Sequence, residues 1–448
     1  MSSHRKHKHH HARSHADGSS PPRVAVVAGL RTPFVRSGGD FKDLSAVDLG
    51  AIVVNELVAR SGLPLAEFDA LVFGQVIPSQ LSSLIAREVV LRSALPRTLP
   101  AHTTSRACAT SLQAATEGAS QILLGQADTV IAGGAESLSD APIFASHKLA
   151  QALVAASKAR TLPDRVRAFA GLSLKDVAPV PPALKEPTTG LTMGESAQKM
   201  AWENGIGREA QDRYALESHR KAADAWASGK FSEEVMAVEV PPRFQKVAAA
   251  DNNVRTDATA DALAALKPVF DRRYGTITAG NSSPLTDGAA AVILMSEGRA
   301  RELGVKPLGF LRAWAYAATD PNEQLLQGPA YAAPVALDRA GLRLADMDVV
   351  EMHEAFAAQV LSNLQAFASR KFAEERLGRG EPLGEVDPAR LNPNGGSIPL
   401  GHPFGATGAR MITQALRELA RRKGRHALLT VCAAGGLGAA VVLDGPEA

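Results

Sequence analysis

The sequence predicts an α/β protein made of two duplicated halves with an inserted loop domain, and three observations predict it. From Arg23 onward, short apolar runs of strand length alternate with longer segments of helical period. The order of these runs in the first third of the chain returns in the last third. Between the two, the composition shifts toward prolines and charged helices.

Val24 to Ala28 is the first expected strand, apolar throughout, as suits a strand covered on both faces. Leu44 to Arg60 places Leu44, Val47, Leu49, Ile52, Val53, Leu57 and Val58 close to one helix face. Asp69 to Gly74 is a second strand, Ala109 to Gly125 a buried helix of small residues, and Thr129 to Ala132 a strand that runs into Gly133-Gly134. In the last third, Pro307 to Trp314 opens as a strand and Pro329 to Ala340 is helical. Asp348 to Met352 parallels Asp69 to Phe73, Gly408 to Arg421 is a second long helix, and Ala427 to Val431 runs into Gly435-Gly436. The period is far too long for a solenoid, so two packed domains are expected, with functional groups where they meet. The expected boundaries are 23–137 for the N-terminal half, completed by 286–298, then 138–285 for the inserted loop domain and 299–448 for the C-terminal half.

Residues 1–22 stand apart as a disordered tail rich in histidine, with His4, His7, His9, His10, His11 and His15 and almost no apolar residue. It reads as a tag or solvated arm, with metal binding as the alternative, and it has neither a secretory apolar core nor an amphipathic transit face. The inserted region carries Pro179-Val-Pro-Pro182, Pro241-Pro242, the loop Ala248 to Asp257 and a charged helix from Glu209 to Lys221. Within it, residues 145–177 set His147, Lys148, Lys158, Arg160, Arg165, Arg167 and Lys175 against Leu149, Leu153, Val154, Val166 and Phe169. A basic amphipathic helix of this kind can lie on a membrane or dock a partner, and an ordinary solvated face is the alternative.

At 448 residues, 45% apolar and 21% charged, the chain can bury two or three compact lobes. Its net charge of +3 on nearly balanced acids and bases gives no footprint for nucleic acid, although a small anionic ligand fits. Two cysteines, Cys108 and Cys432, cannot build a disulfide scaffold and point to a reducing, cytoplasmic setting. No apolar stretch reaches the length of about eighteen residues needed to span a membrane. The chain has no Walker loop, its glycine clusters lack a dinucleotide context, and outside the tail no cluster has metal-ligand spacing. No NAD, nucleotide hydrolysis, metal or resident cofactor is therefore expected.

Four segments carry residues capable of chemistry. Cys108, in Ser105-Arg-Ala-Cys-Ala-Thr-Ser111, sits where an extended stretch hands over to a helix, whose positive end favours a thiolate; a small buried filler is the alternative. His402 lies in the glycine-rich Asn394-Gly-Gly-Ser-Ile-Pro-Leu-Gly-His-Pro-Phe-Gly-Ala-Thr-Gly408, placed to take a thiol proton, unless it is a structural turn histidine. Cys432 opens Cys432-Ala-Ala-Gly-Gly-Leu-Gly438, where a thiol can move a proton and glycine-rich backbone can aim N–H groups at an oxyanion; a tight turn around a buried thiol competes. His353, in Met352-His-Glu-Ala-Phe356, follows a strand and can donate a hydrogen bond, or be a satisfied structural residue.

Together and in this order, the four segments resemble the thiolase family, and the likeness extends from Arg23 to the end of the chain. Arg31-Thr-Pro-Phe34, Gly133-Gly-Ala-Glu-Ser137 and Gly280-Asn-Ser-Ser-Pro-Leu-Thr-Asp-Gly-Ala-Ala290 resemble further segments of that family. The resemblance implies the thiolase fold: two βαβαβαββ halves forming a five-layered α-β-α-β-α core. It implies an acetyl-CoA C-acyltransferase that uses CoA and acyl-CoA as substrates with no cofactor. By it, Cys108 is the acylated nucleophile, His402 activates it, and Cys432 handles the proton of the acetyl-CoA carbon. His402 and His353 would hold the enolate oxygen, the backbone N–H groups of Cys108 and Ala434 the acyl oxygen, and Met193, Ser283 and Phe356 would contact CoA.

Two departures from the commoner family pattern narrow the group. His353 stands where many thiolases have Asn, and Ala434-Gly-Gly436 replaces a Gly-Gly-Gly run. Both variants resemble the thiolase subunit of the fatty-acid β-oxidation trifunctional complex and its bacterial counterparts, as do Lys158-Ala-Arg-Thr-Leu-Pro-Asp-Arg165, Pro179-Val-Pro-Pro182 and Thr192-Met-Gly-Glu-Ser196. His353 would reach the oxyanion directly or through a water. That group implies a homodimer or tetramer and a hydratase/dehydrogenase subunit as partner, met by residues 145–177, which could equally touch a membrane. A biosynthetic, acetoacetyl-CoA-forming enzyme is the nearest alternative. A non-catalytic acyl-CoA or lipid binder is the more distant one, disfavoured by the four reactive residues together.

Overall fold

The computed structural model describes residues 23–79, 82–178 and 185–448. The histidine-rich tail and Pro179-Val-Pro-Pro182 lie outside the described residues. The first half is built from β1 (Val24–Arg31), α1 (Ala46–Ser61), β2 (Ala70–Gly74), α2 (Ile85–Arg92), β3 (Ala101–Thr104), α3 (Thr110–Leu123) and β4 (Thr129–Glu136), and its last strand is β5 (Thr286–Ser296). Within it β2 pairs in parallel with β3 and β4, and β5 runs antiparallel between β4 and β1. A long excursion, with α4 (His147–Lys158), α5 (Leu162–Arg167), α6 (Leu174–Val177), α7 (Met193–Glu203) and α8 (Arg208–Ala227), separates β4 from β5.

The second half repeats the plan with β6 (Gly309–Ala318), α9 (Gly328–Ala340), β7 (Val349–Met352), α10 (Ala357–Ala368), α11 (Thr407–Arg422), β8 (His426–Ala433) and β9 (Leu437–Asp444). Here β7 pairs in parallel with β8, and β9 runs antiparallel between β8 and β6. The counterpart of β3 is reduced to a parallel bridge between Leu391 and Val350. The halves join edge to edge where Val24 to Val26 pair antiparallel with Leu311 to Gly309. The duplication inferred from the order of apolar runs is thus repeated in strand order and direction.

Side-chain alternation along the strands explains the layering. Val24, Val26, Val130, Ala132, Val292, Leu294, Leu429 and Val431 turn inward and pack with Leu112, Ala115 and Ile122 of α3 and Met411, Ala415 and Leu419 of α11. Their neighbours Ala25, Ile131 and Ile293 face outward onto Val47, Val54 and Leu57 of α1 and Val89 of α2. Leu428 and Val442 do the same against Ala336 and Leu337 of α9 and Val360 of α10. The result is helix, sheet, helix, sheet, helix: five layers, with α3 and α11 enclosed between the sheets.

Several boundaries differ from expectation. β4 continues through Gly133-Gly134 to Glu136, because glycine there admits another backbone: a Cβ on Gly134 would sit 2.1 Å from the Gly405 carbonyl oxygen. The strand after Pro307 begins at Gly309 and runs to Ala318, and the charged helix in the insertion extends from Arg208 to Ala227. Residues 145–177 form three short helices rather than one, because Ala159 adopts an extended conformation after α4 and Thr161 caps α5. Leu153, Val154, Leu162, Val166, Leu174 and Val177 are exposed across them. The inserted region is tied to the core by α7 and α8 on α10 and by fully buried Arg31, whose guanidinium grips Asp251 at 2.7 and 2.9 Å and Glu234 at 3.3 Å.

Candidate active site

Cys108 lies in the turn from β3 into α3. Ala107, just before it, has φ of 44°, a left-handed conformation that an L-residue adopts at a cost of about 1–3 kcal/mol. Thr110 holds the turn: its hydroxyl donates to the Ala107 carbonyl at 2.7 Å and accepts the Arg106 amide at 2.8 Å. The thiol is half-buried, with the amides of Ala434 and of Cys108 itself directed at its sulfur.

His402 arrives from the other half. The Gly405 amide donates to Glu136 at 3.0 Å, and the same carboxylate accepts the amides of Val76 and Ile77 at 3.0 and 2.9 Å. Two segments are clamped on one buried side chain of β4, which fixes the His402 loop against the end of that strand. His353 follows β7, and the neighbouring Glu354 accepts from Tyr214, Ser218, Asn392 and the Ile398 amide at 2.8 to 3.0 Å. A Cβ on Gly396 would lie 2.4 Å from the Glu354 carboxyl carbon, so glycine is what lets this loop lie on it.

These supports bring the reactive groups together. The Cys108 sulfur and one ring nitrogen from each of His353 and His402 lie within 4.8 Å of one another, and the two imidazole centroids are 4.0 Å apart. Nδ1 of His353 is bonded to Ser397 at 2.9 Å and Nδ1 of His402 to Thr407 at 2.7 Å. Among the described residues both Nε2 atoms are buried without a hydrogen-bond partner, which is the condition of groups awaiting a ligand oxygen or proton. Cys432, at the end of β8, is 1% exposed and close enough to Cys108 to feel its charge.

Met193 and Phe356 pack into the apolar cluster that contains Cys432, together with Leu325, Leu326 and Ala358. Ser283 sits alongside, its amide on the Ala355 carbonyl at 3.0 Å. Cys108, His353 and His402 thus meet in one region, and Met193 and Phe356 share the apolar cluster of Cys432. Sequence reasoning missed the supporting groups Glu136, Glu354, Glu351, Ser397, Thr407 and Arg410. Of these, Ser397 and Thr407 stood inside the glycine-rich motif already quoted.

The electrostatics correct one expectation. The helix end was expected to favour a resting thiolate, but burial pushes the Cys108 thiol up to about 12, with Glu136 adding to the rise, against the pull of the Ala434 and Cys108 amides. Burial, with Arg410 reinforcing it, drives His402 down to about 3. The resting pair is a neutral thiol beside a neutral imidazole, poised for proton transfer at the moment of attack. Alkylation of Cys108 by iodoacetamide should consequently still be rising above about pH 9, where an ordinary cysteine of about 8.5 is levelling off. A plateau reached by about pH 8 would show that the thiolate forms at neutral pH.

The chain matches the family described as "Thiolase, N-terminal domain" over residues 24–298 and "Thiolase, C-terminal domain" over residues 305–445. It is 52% identical over 422 residues to a 3-ketoacyl-CoA thiolase of Yersinia enterocolitica, covering 94% of this chain and 97% of that one. A 3-ketoacyl-CoA thiolase of Aeromonas salmonicida is 54% identical over the same shares. Among solved structures, human mitochondrial 3-ketoacyl-CoA thiolase superposes with a TM-score of 0.80 at 32% identity, covering 95% of this chain and 99% of that one. The same human enzyme in complex with CoA gives 0.79, at 32% identity and shares of 95% and 98%. With its duplicated five-layered core, its clamped cysteine turn and its paired imidazoles, the chain belongs to the thiolase family.

Proposed function

We propose that this chain is an acetyl-CoA C-acyltransferase that uses CoA to cleave a 3-ketoacyl-CoA into acetyl-CoA and an acyl-CoA two carbons shorter. The observation that carries this is the meeting of Cys108, His353 and His402 within one small space, with Cys432 beside them. His402 takes the Cys108 proton as the sulfur attacks the 3-keto carbon. The oxyanion formed there faces the amides of Cys108 and Ala434. The C2–C3 bond then breaks, its electrons pass into the acetyl-CoA enolate, and Cys432 gives that carbon its proton. Protonated His402 and His353 hold the enolate oxygen meanwhile. The incoming CoA thiol reprotonates Cys432, its sulfur takes the acyl group, and His402 returns the first proton to Cys108. Met193, Ser283 and Phe356 border the CoA approach.

A place in fatty-acid β-oxidation, in the cytoplasm, suits this chemistry and the degree of likeness to 3-ketoacyl-CoA thiolases. The domain division expected from sequence is carried forward here, with 138–285 as the inserted unit. Its exposed apolar and basic surface on α4 to α6 suits a hydratase/dehydrogenase subunit or a membrane surface, and the chain is proposed to act as a homodimer or tetramer. Among the described residues no helix is long and apolar enough to cross a membrane. Purified protein given CoA and a 3-ketoacyl-CoA should release acetyl-CoA, with C16 substrate used at least as well as C4. No acetyl-CoA from either substrate would remove the proposal, and a strong preference for C4 would replace the degradative role with a biosynthetic one.

A further inference from the structure

Two hydroxyl groups stand behind the two imidazoles, and their surroundings point their protons in opposite directions. Ser397 Oγ receives Nη2 of Arg410 at 3.1 Å. A guanidinium has donors and no acceptor, so the single hydroxyl proton of Ser397 cannot turn that way. It turns to the other neighbour, Nδ1 of His353, at 2.9 Å. Arg410 is fully buried and held in place by Glu351 and Gln414, each at 3.4 Å. An imidazole that accepts at Nδ1 carries its proton on Nε2 when neutral. Burial, the nearby His402 and Arg410 all disfavour the charged form of His353, so neutral is its resting state.

Thr407 faces the opposite situation. Its hydroxyl lies 3.1 Å from the Pro403 carbonyl, a pure acceptor, and 2.7 Å from Nδ1 of His402. With the hydroxyl proton on the carbonyl, His402 donates from Nδ1 and its Nε2 lone pair is bare. We propose that Ser397, oriented by Arg410, is a positioning residue that locks His353 as the Nε2-protonated tautomer, so that the pocket presents one standing donor beside one base. The inference deepens the thiolase function proposed above and rests on it. Two bare Nε2 atoms would leave the enolate oxygen one donor short, and two protonated ones would leave the Cys108 thiol without a base.

The test compares two reactions of the purified enzyme: cleavage of a 3-ketoacyl-CoA, which passes through the enolate, and acyl exchange between a simple acyl-CoA and CoA, which does not. Ser397→Ala should lower kcat for cleavage by about tenfold to a hundredfold, with little change in KM, while acyl exchange stays near the wild-type rate. Ser397→Thr, which keeps the hydroxyl, should restore cleavage. In a His353→Asn background there is no Nδ1 to orient, and Ser397→Ala should add no further loss. Should Ser397→Ala fail to fold, Ser397→Cys, a weak donor, is compared in the same way. Equal loss in both reactions, an undiminished loss in the Asn background, or cleavage by Ser397→Ala at the wild-type rate would each overturn the relay. A wild-type enzyme that cleaves no 3-ketoacyl-CoA would instead remove the function on which it rests.

Discussion

Cys108→Ala should abolish CoA-dependent cleavage of a 3-ketoacyl-CoA while leaving the protein folded. In the proposed mechanism the sulfur carries the acyl group between the two half-reactions. Cys432 is the other thiol, but it is sealed at 1% exposure among Leu325, Leu326 and Ala358, and burial and the nearby Cys108 hold it protonated. Loss of a nucleophile that acts as a unit with its base typically removes about 10⁴-fold to 10⁶-fold in rate. The fold should tolerate the change, because Cys108 is only half-buried and alanine accepts the same backbone. The strained residue is its neighbour Ala107, which is untouched. A mass spectrum of the wild type mixed with acyl-CoA should show one added acyl group, absent from the variant. Wild-type turnover by the variant would end the nucleophile assignment.

Much of the architecture was legible because the central strands are buried on both faces and therefore read as unbroken apolar runs. β5 and β9 were harder. The Gly288 to Ala291 and Gly438 to Ala440 stretches have little intrinsic strand preference and become strands because neighbours on both edges pair with them. The reactive residues were visible because each sits in a local motif, His402 and Cys432 beside glycines that bring backbones close, Cys108 and His353 where an extended stretch ends. Their supports were invisible for the opposite reason. Arg410, Glu351 and Glu354 are charged residues that a one-chain reading assigns to solvent, and only the enclosure of α11 between two sheets shows that Arg410 must find partners inside. The rise in the Cys108 pKa was hidden for a related reason. The helix end is local and can be read from the chain, whereas the burial that outweighs it is assembled from both halves.

Cys432→Ser should separate the two halves of the reaction. Cleaving the C2–C3 bond leaves an enolate carbon that must be protonated, and in the proposed mechanism only Cys432 serves it. Burial and the neighbouring Cys108 hold this thiol well above its ordinary value, so it stays a loaded proton donor until a carbanion forms beside it. Serine matches the shape but is a far weaker acid, and its hydroxyl enters an apolar cluster at a cost of about 1–3 kcal/mol when left without a partner. Cleavage is therefore expected to fall by about a hundredfold to ten-thousandfold, the usual contribution of a general acid or base. Acyl exchange between a simple acyl-CoA and CoA needs no carbon protonation and should fall far less. Deuterium uptake at C2 of acetyl-CoA in heavy water should be lost in step with cleavage, and thermal denaturation of the variant would account separately for any cost in folding. If cleavage, exchange and deuterium uptake all declined by the same factor, Cys432 would be a packing residue, and the proton would have to come from His402, the one neighbouring group already charged at that step.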